Sequence, residues 1–208
     1  NVVNKLNKPQ TTVKIGVVGK YTDLKDSYKS LTEAIVHGGL ANNAEVDICW
    51  INSEKLSSEE IINQIQNVKG ILVPGGFGDR GIDGKMISIK YAREKNVPFF
   101  GICLGMQLAI IEIARNVLNF NDSNSTEFSK TRNPVICLMT EWAKDNVKIE
   151  RSYSSNKGGT MRLGSFPCVI SKDTLAYKIY HSPKINERHR HRYEVNTNYI
   201  SQFKEKGF

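Results

Sequence analysis

The stretch VPFFGICLGMQLAI, residues 97 to 110, decides the reading of this chain. Residues 97–102 are apolar and partly aromatic, the pattern of a short buried strand. Residues 104–117, LGMQLAIIEIARNV, carry helix formers with apolar residues at helical spacing. Cys103 therefore sits on a strand-to-helix turn. Gly101 and Gly105 remove the Cβ atoms that so sharp a turn would bring into collision. Glycine, nucleophile and glycine in this order form a nucleophile elbow, with Cys in place of Ser. A helix N-terminus just beyond the sulfur is expected to favour the thiolate, its reactive form.

Upstream, strands and helices alternate. VKIGVVG (13–19) reads as a buried strand, and AEVDICWI (44–51) and GILV (70–73) as the second and third strands, ahead of the fourth at 97–102. DSYKSLTEAIVHGG (26–39) reads as a helix capped by Asp26 or Ser27 and stopped by its glycines. SSEEIINQI (57–65) opens with a capping box from Ser57 to Glu60. GKMISIKYAREK (84–95) is the third helix. This alternation predicts an α/β fold, a doubly wound, mostly parallel sheet flanked by helices. One domain is expected over 1–208. Strands 70–73 and 97–102, joined by one helix, are expected to be parallel neighbours. Their loops, PGGFG (74–78) and the elbow, then emerge together at the carboxyl edge, where such sheets hold ligands. The amides of Gly76 and Leu104 suit an oxyanion hole.

Beyond residue 118 the pattern changes. A polar loop at 119–133 is followed by strand-like pieces at 134–140, 160–164 and 167–170 and a short helix at 171–180. Residues 142–159 read as the most mobile segment.

Composition narrows the function classes. Apolar residues make up 39% of the 208 and charged residues 24%, as in a globular protein. No apolar run reaches the length of a membrane span and no signal peptide is visible, so no membrane role is expected and the cytoplasm is the expected compartment. Four cysteines without metal-ligand spacing point to reduced thiols, and no metal is expected. The net charge of +8 includes the basic run ERHRHRY, 187–193. No aromatic platform or nucleic-acid motif accompanies it, so it reads as a charged strand rather than a nucleic-acid surface.

GICLGMQ together with PGGFG resembles the class I glutamine amidotransferases. GVVGKYTDLKDSYKSLTEAIVHGG, NSTEF, TEW, GGTMRLG and ERHRHRYEVN, in that order along nearly the whole chain, narrow the resemblance to the glutaminase domains of the CTP synthase family. The resemblance implies a flavodoxin-like fold and hydrolysis of glutamine through a cysteine thioester. It implies delivery of ammonia to a synthetase domain that aminates UTP to CTP with ATP and magnesium. That domain would precede residue 1, in an enzyme expected to be a homotetramer, and the glutaminase domain itself would carry no cofactor.

By motif, Cys103 matches the nucleophile. Gly76, Leu104, Gly105, Met106 and Gln107 match the glutamine pocket. Glu127 and Arg192 match the residues that fix the amino acid, and the chemistry agrees: a carboxylate suits an α-ammonium and a guanidinium suits an α-carboxylate. The family is activated by GTP, for which Phe77, Arg80 and Arg162 are the candidate contacts. The general base is not found. His37, His181, His189 and His191 lack the His-x-Glu pattern of the family's triad. That pair is expected downstream of KEKGF, and the chain, which opens on Asn, is expected to be a truncated piece. Two other readings stay open: another class I amidotransferase, and a non-catalytic module that binds glutamine.

Overall fold

The computed structural model describes residues 8–20, 22, 24–138, 141–144, 147–150 and 161–208, with Val3 and Lys5. β1 (Thr11–Gly19), β2 (Ala44–Asn52), β3 (Gly70–Val73) and β4 (Phe99–Gly101) form a sheet in the order β2-β1-β3-β4. Every pairing is parallel. This is the flavodoxin-like order, and the expected neighbours are neighbours: Ile71 faces Phe99, Leu72 faces Phe100 and Val73 faces Gly101.

Alternation along the strands sends successive side chains to opposite faces. Val18, Ile51, Ile71 and Val73 pack with residues of α2 (Ser58–Ile65), α3 (Ile82–Glu94) and α4 (Leu104–Asn116). Ile15 and Leu72 line a groove of about 280 Å³ with Ile35 of α1 (Lys29–Ala41). Helices thus cover both faces. α3 and α4 are also joined by an ion pair whose carboxylate is buried. Arg93 grips the Glu112 carboxylate through Nε at 2.9 Å and Nη2 at 2.8 Å, and Asn116 donates to the same group.

The helix signals were unequal guides. The capping box of α2 forms: the Glu60 amide donates to Ser57 Oγ at 3.3 Å and the Ser57 amide donates to Glu60 at 2.8 Å. At α1 the expected cap does not. A 3₁₀ turn, Lys25–Tyr28, takes that place and Tyr28 becomes the cap residue without a side-chain capping bond. The glycines that were to stop α1 lie inside it. A Cβ on Gly39 would stand 2.6 Å from the Ala44 carbonyl, so Gly39 serves close packing of the helix on β2 and the helix runs on to Ala41.

In the second half, β5 (Asn124–Ser125), β6 (Pro134–Leu138) and β11 (Tyr193–Val195) make a small sheet in the order β11-β6-β5. β7 (Glu141–Lys144) pairs antiparallel with β8 (Val147–Glu150), so part of the stretch expected to be mobile is a hairpin; 145–146 and 151–159 lie outside the described residues. The two pieces expected at 160–164 and 167–170 are one strand, β9 (Arg162–Val169), paired with β10 (Lys184–His191). Pro167 is tolerated because a two-stranded ribbon leaves each strand a free edge. α5 (Leu175–Tyr180) and α6 (Ile200–Glu205) complete the chain.

Candidate active site

β4 ends at Gly101, and the chain turns so sharply that Cys103 takes φ +52°, ψ −107°. A non-glycine residue with positive φ costs about 1–3 kcal/mol and persists where its surroundings hold it. Both glycines of the elbow are structurally required. A Cβ on Gly101 would lie 2.6 Å from the backbone of Gly105 and Met106, and one on Gly105 would enter the Val73 carbonyl. The parallel register brings PGGFG alongside. A Cβ on Gly75 would stand 3.4 Å from Cβ of Cys103, and one on Gly76 the same distance from the Leu104 side chain.

The half-buried thiol points across to the second half of the chain, where Sγ donates to the Arg190 carbonyl at 3.9 Å. Its protonation differs from the sequence expectation. Burial pushes the thiol pKa up, the Leu104 N–H facing the sulfur pulls it down, and the Glu127 carboxylate pushes it up again. The helix N-terminus acts in the expected direction, but desolvation is larger and the resting group is a thiol. A base is therefore needed to activate it.

Glu127 follows β5, where the Ser125 hydroxyl accepts its amide at 3.1 Å. Its Oε1 accepts the Gly78 amide at 3.2 Å, so the carboxylate spans from the PGGFG loop towards the nucleophile. The neighbouring residue of that loop is held by Lys20, whose Nζ donates to the Phe77 carbonyl at 2.6 Å. Sequence reading missed Lys20. Its position just past the end of β1, at the same carboxyl edge, was the available signal.

The residues after the elbow divide by role. The side chains of Leu104 and Gln107 are buried, and Met106 is exposed. Gln107 Nε2 donates to the Tyr193 carbonyl at 3.0 Å, so its amide ties α4 to β11. Arg192 stands between Arg190 and Tyr193, two residues from the carbonyl that the thiol touches. Its Nε is buried and has no hydrogen-bond partner among the described residues. The three candidate GTP residues are spread over two regions. Phe77 is exposed beside β3, and Arg80 pairs with Glu54 at 3.5 Å. Arg162 lies on β9, 3.9 Å from Glu194 and 4.5 Å over the Phe166 ring.

Of the histidines, His37 is exposed in α1 and His181 closes α5 in a left-handed conformation. His189 and His191 are bonded to each other on β10. Among the described residues, no group of three His, Cys, Asp or Glu is arranged to hold a metal, and no helix is long and apolar enough to cross a membrane.

Comparison with known proteins gives this geometry its family. The profile described as "Glutamine amidotransferase class-I" matches residues 23–208. The chain belongs to the class I glutamine amidotransferase family. Within it, the chain is 54% identical to a CTP synthase of Nitratidesulfovibrio vulgaris (strain DP4) over 96% of its own length and 37% of that protein's. It is 52% identical to a CTP synthase of Brucella ovis over 99% of its length and 38% of that protein's. The chain thus spans under two fifths of these curated relatives. A solved structure of the Trypanosoma brucei CTPS glutaminase domain with bound acivicin superposes with a TM-score of 0.81 at 38% identity, covering 94% of this chain and 72% of that one. This amidotransferase is therefore a glutaminase domain of the CTP synthase type, with the fold that its strand and helix pattern predicted.

Proposed function

We propose that the chain hydrolyses glutamine at Cys103 and passes the ammonia to a synthetase domain of the same polypeptide, which aminates UTP to CTP with ATP and magnesium. The domain spans 1–208 and continues into a downstream segment bearing the family's His-x-Glu pair. The observation that carries this reading is the strained elbow thiol, with Glu127 acting on it electrostatically and the Arg190 carbonyl facing it.

In the first step the Cys103 sulfur attacks the side-chain carboxamide carbon. The base takes the thiol proton, and the oxygen gains negative charge beside the amides of Gly76 and Leu104. Collapse breaks the C–N bond, the base returns the proton, and ammonia leaves a thioester. Water then attacks that thioester, releasing glutamate and restoring the thiol. Glu127 holds the α-ammonium and Arg192 the α-carboxylate of the substrate. Phe77, Arg80 and Arg162 offer a ring and guanidinium groups to GTP, a purine nucleotide that would act as activator. The enzyme works in the cytoplasm as a homotetramer, with no nucleic acid or membrane partner.

The test is Cys103→Ala in the full-length enzyme. Glutamine-dependent CTP formation is expected to vanish, while formation from free ammonia, which bypasses the thiol, persists. Glutamine-dependent synthesis surviving the substitution overturns the proposal.

A further inference from the structure

The corner around Arg192 carries an arrangement that the catalytic reading does not use. β10 pairs with β9 and β11 pairs with β6, so the chain changes sheets at Arg192. One ladder ends on one side of this residue and another begins on the other. Its placement therefore depends on what locks the corner.

Side chains supply that lock. His191 Nδ1 lies 3.1 Å from the carbonyl of Tyr193, bridging over Arg192. The carbonyl only accepts, so Nδ1 carries the proton. In the neutral ring Nε2 is then an acceptor. It lies 2.8 Å from Nδ1 of His189, which must donate. The tautomers of both rings follow from one carbonyl. The same carbonyl accepts Gln107 Nε2 at 3.0 Å, four residues beyond the nucleophile in α4. One oxygen thus joins the elbow helix, the histidine pair and the corner.

The surroundings keep the pair neutral. Burial lowers the pKa of both rings, and Arg162 on β9 lowers it further; His189 lowers that of His191 too, while the carboxylate of Glu187 on β10 opposes this for His189 and the bond to the Tyr193 carbonyl opposes it for His191. Phe166 of β9 packs edge-on against His189 at 5.4 Å, and Glu194 of β11 pairs with Arg162.

We propose that His191, its tautomer fixed by the Tyr193 carbonyl, is a positioning residue that sets Arg192 for the α-carboxylate of glutamine. The proposal rests on the glutaminase reading above. It makes His191 responsible for substrate binding and not for proton transfer.

The test is steady-state kinetics on the full-length enzyme, with glutamine and with free ammonia. His191→Phe keeps a flat ring and removes both nitrogens. It is expected to raise KM for glutamine about three- to tenfold, the worth of one hydrogen bond, with kcat and the ammonia-supported rate little changed. His191→Asn returns an N–H near the place of Nδ1 and is expected to bring KM back to within about twofold of the parent. His191→Gln, whose amide reaches the place of Nε2 instead, is not. A parental KM in the Phe variant overturns the proposal, as does an Asn variant no better than Gln. If the Phe variant loses the ammonia-supported rate too, the Asn and Gln pair alone decides by the same criterion. A parent enzyme that makes CTP from ammonia but never from glutamine overturns the glutaminase reading instead, and this inference with it.

Discussion

The elbow and the β9–β10 ribbon are built on opposite principles. The elbow lies within seven consecutive residues, between a strand and a helix of the main sheet, with Leu104 and Leu108 almost fully buried just beyond the sulfur. Its geometry is enforced by close backbone contacts that only glycine permits. The ribbon is an eight-residue antiparallel pair with alternate residues exposed, carrying Lys184, Glu187, Arg188 and Arg190. It meets the elbow through the Arg190 carbonyl oxygen. The reactive atom is thus held by the stiff part of the molecule and its partners are delivered by the softer one. This division suits a site that must admit and release a small polar substrate.

The strongest way to break the comparison is Gly105→Ala. Its Cβ would enter the Val73 carbonyl, and both groups belong to buried backbone. We expect destabilisation beyond about 4 kcal/mol, the range of severe core defects, seen as loss of the cooperative urea transition. A variant that unfolds like the parent would show that the elbow is softer than its contacts imply.

A smaller effect of opposite sign is expected at Lys85. This α3 side chain is only 1% exposed. Burial, aided by Lys20 and opposed by Glu54, lowers its pKa from 10.5 to about 8. Below pH 8 both folded and unfolded chains hold the proton, so the full penalty is present. Between 8 and 10.5 the folded chain sheds it first, and stability rises with pH. The whole penalty is about 3 kcal/mol. Lys85→Met is therefore expected to stabilise the chain by about 1–3 kcal/mol at pH 7 and to abolish the rise between pH 8 and 10.5. Urea titrations at pH 7 and 10 check both. A Met variant less stable than the parent at pH 7 would mean that Glu54 compensates the buried charge.

The smallest effect belongs to the ribbon. Tyr180→Phe removes the bond that the hydroxyl donates to the exposed Glu187 carboxylate at 2.7 Å. We expect less than about 0.5 kcal/mol, because water replaces the lost partner. A larger loss would place the ribbon with the elbow as a rigid element.

Legibility followed the range of the interactions. The main-sheet strands, the α2 capping box and the elbow were readable because the residues that decide them are neighbours in sequence. α1 was misjudged at both ends, since Gly39 answers to Ala44 on the next strand and not to its own helix. β9 was read as two strand-like pieces, 160–164 and 167–170, because its continuity is set by pairing with β10, a strand that begins only at Lys184.

The sequence by itself determined the parallel sheet, the turn at Cys103 and the membership of the PGGFG loop in the same edge. Hydrophobic period, glycine spacing and the strand-helix-strand connection encode these within short segments. Only the tertiary structure decided the protonation of Cys103, the bond that the Gly78 amide donates to Glu127 across 49 residues, and the carbonyl that unites Gln107 with His191. Each depends on desolvation or on groups far apart along the chain, and local pattern carries no record of either.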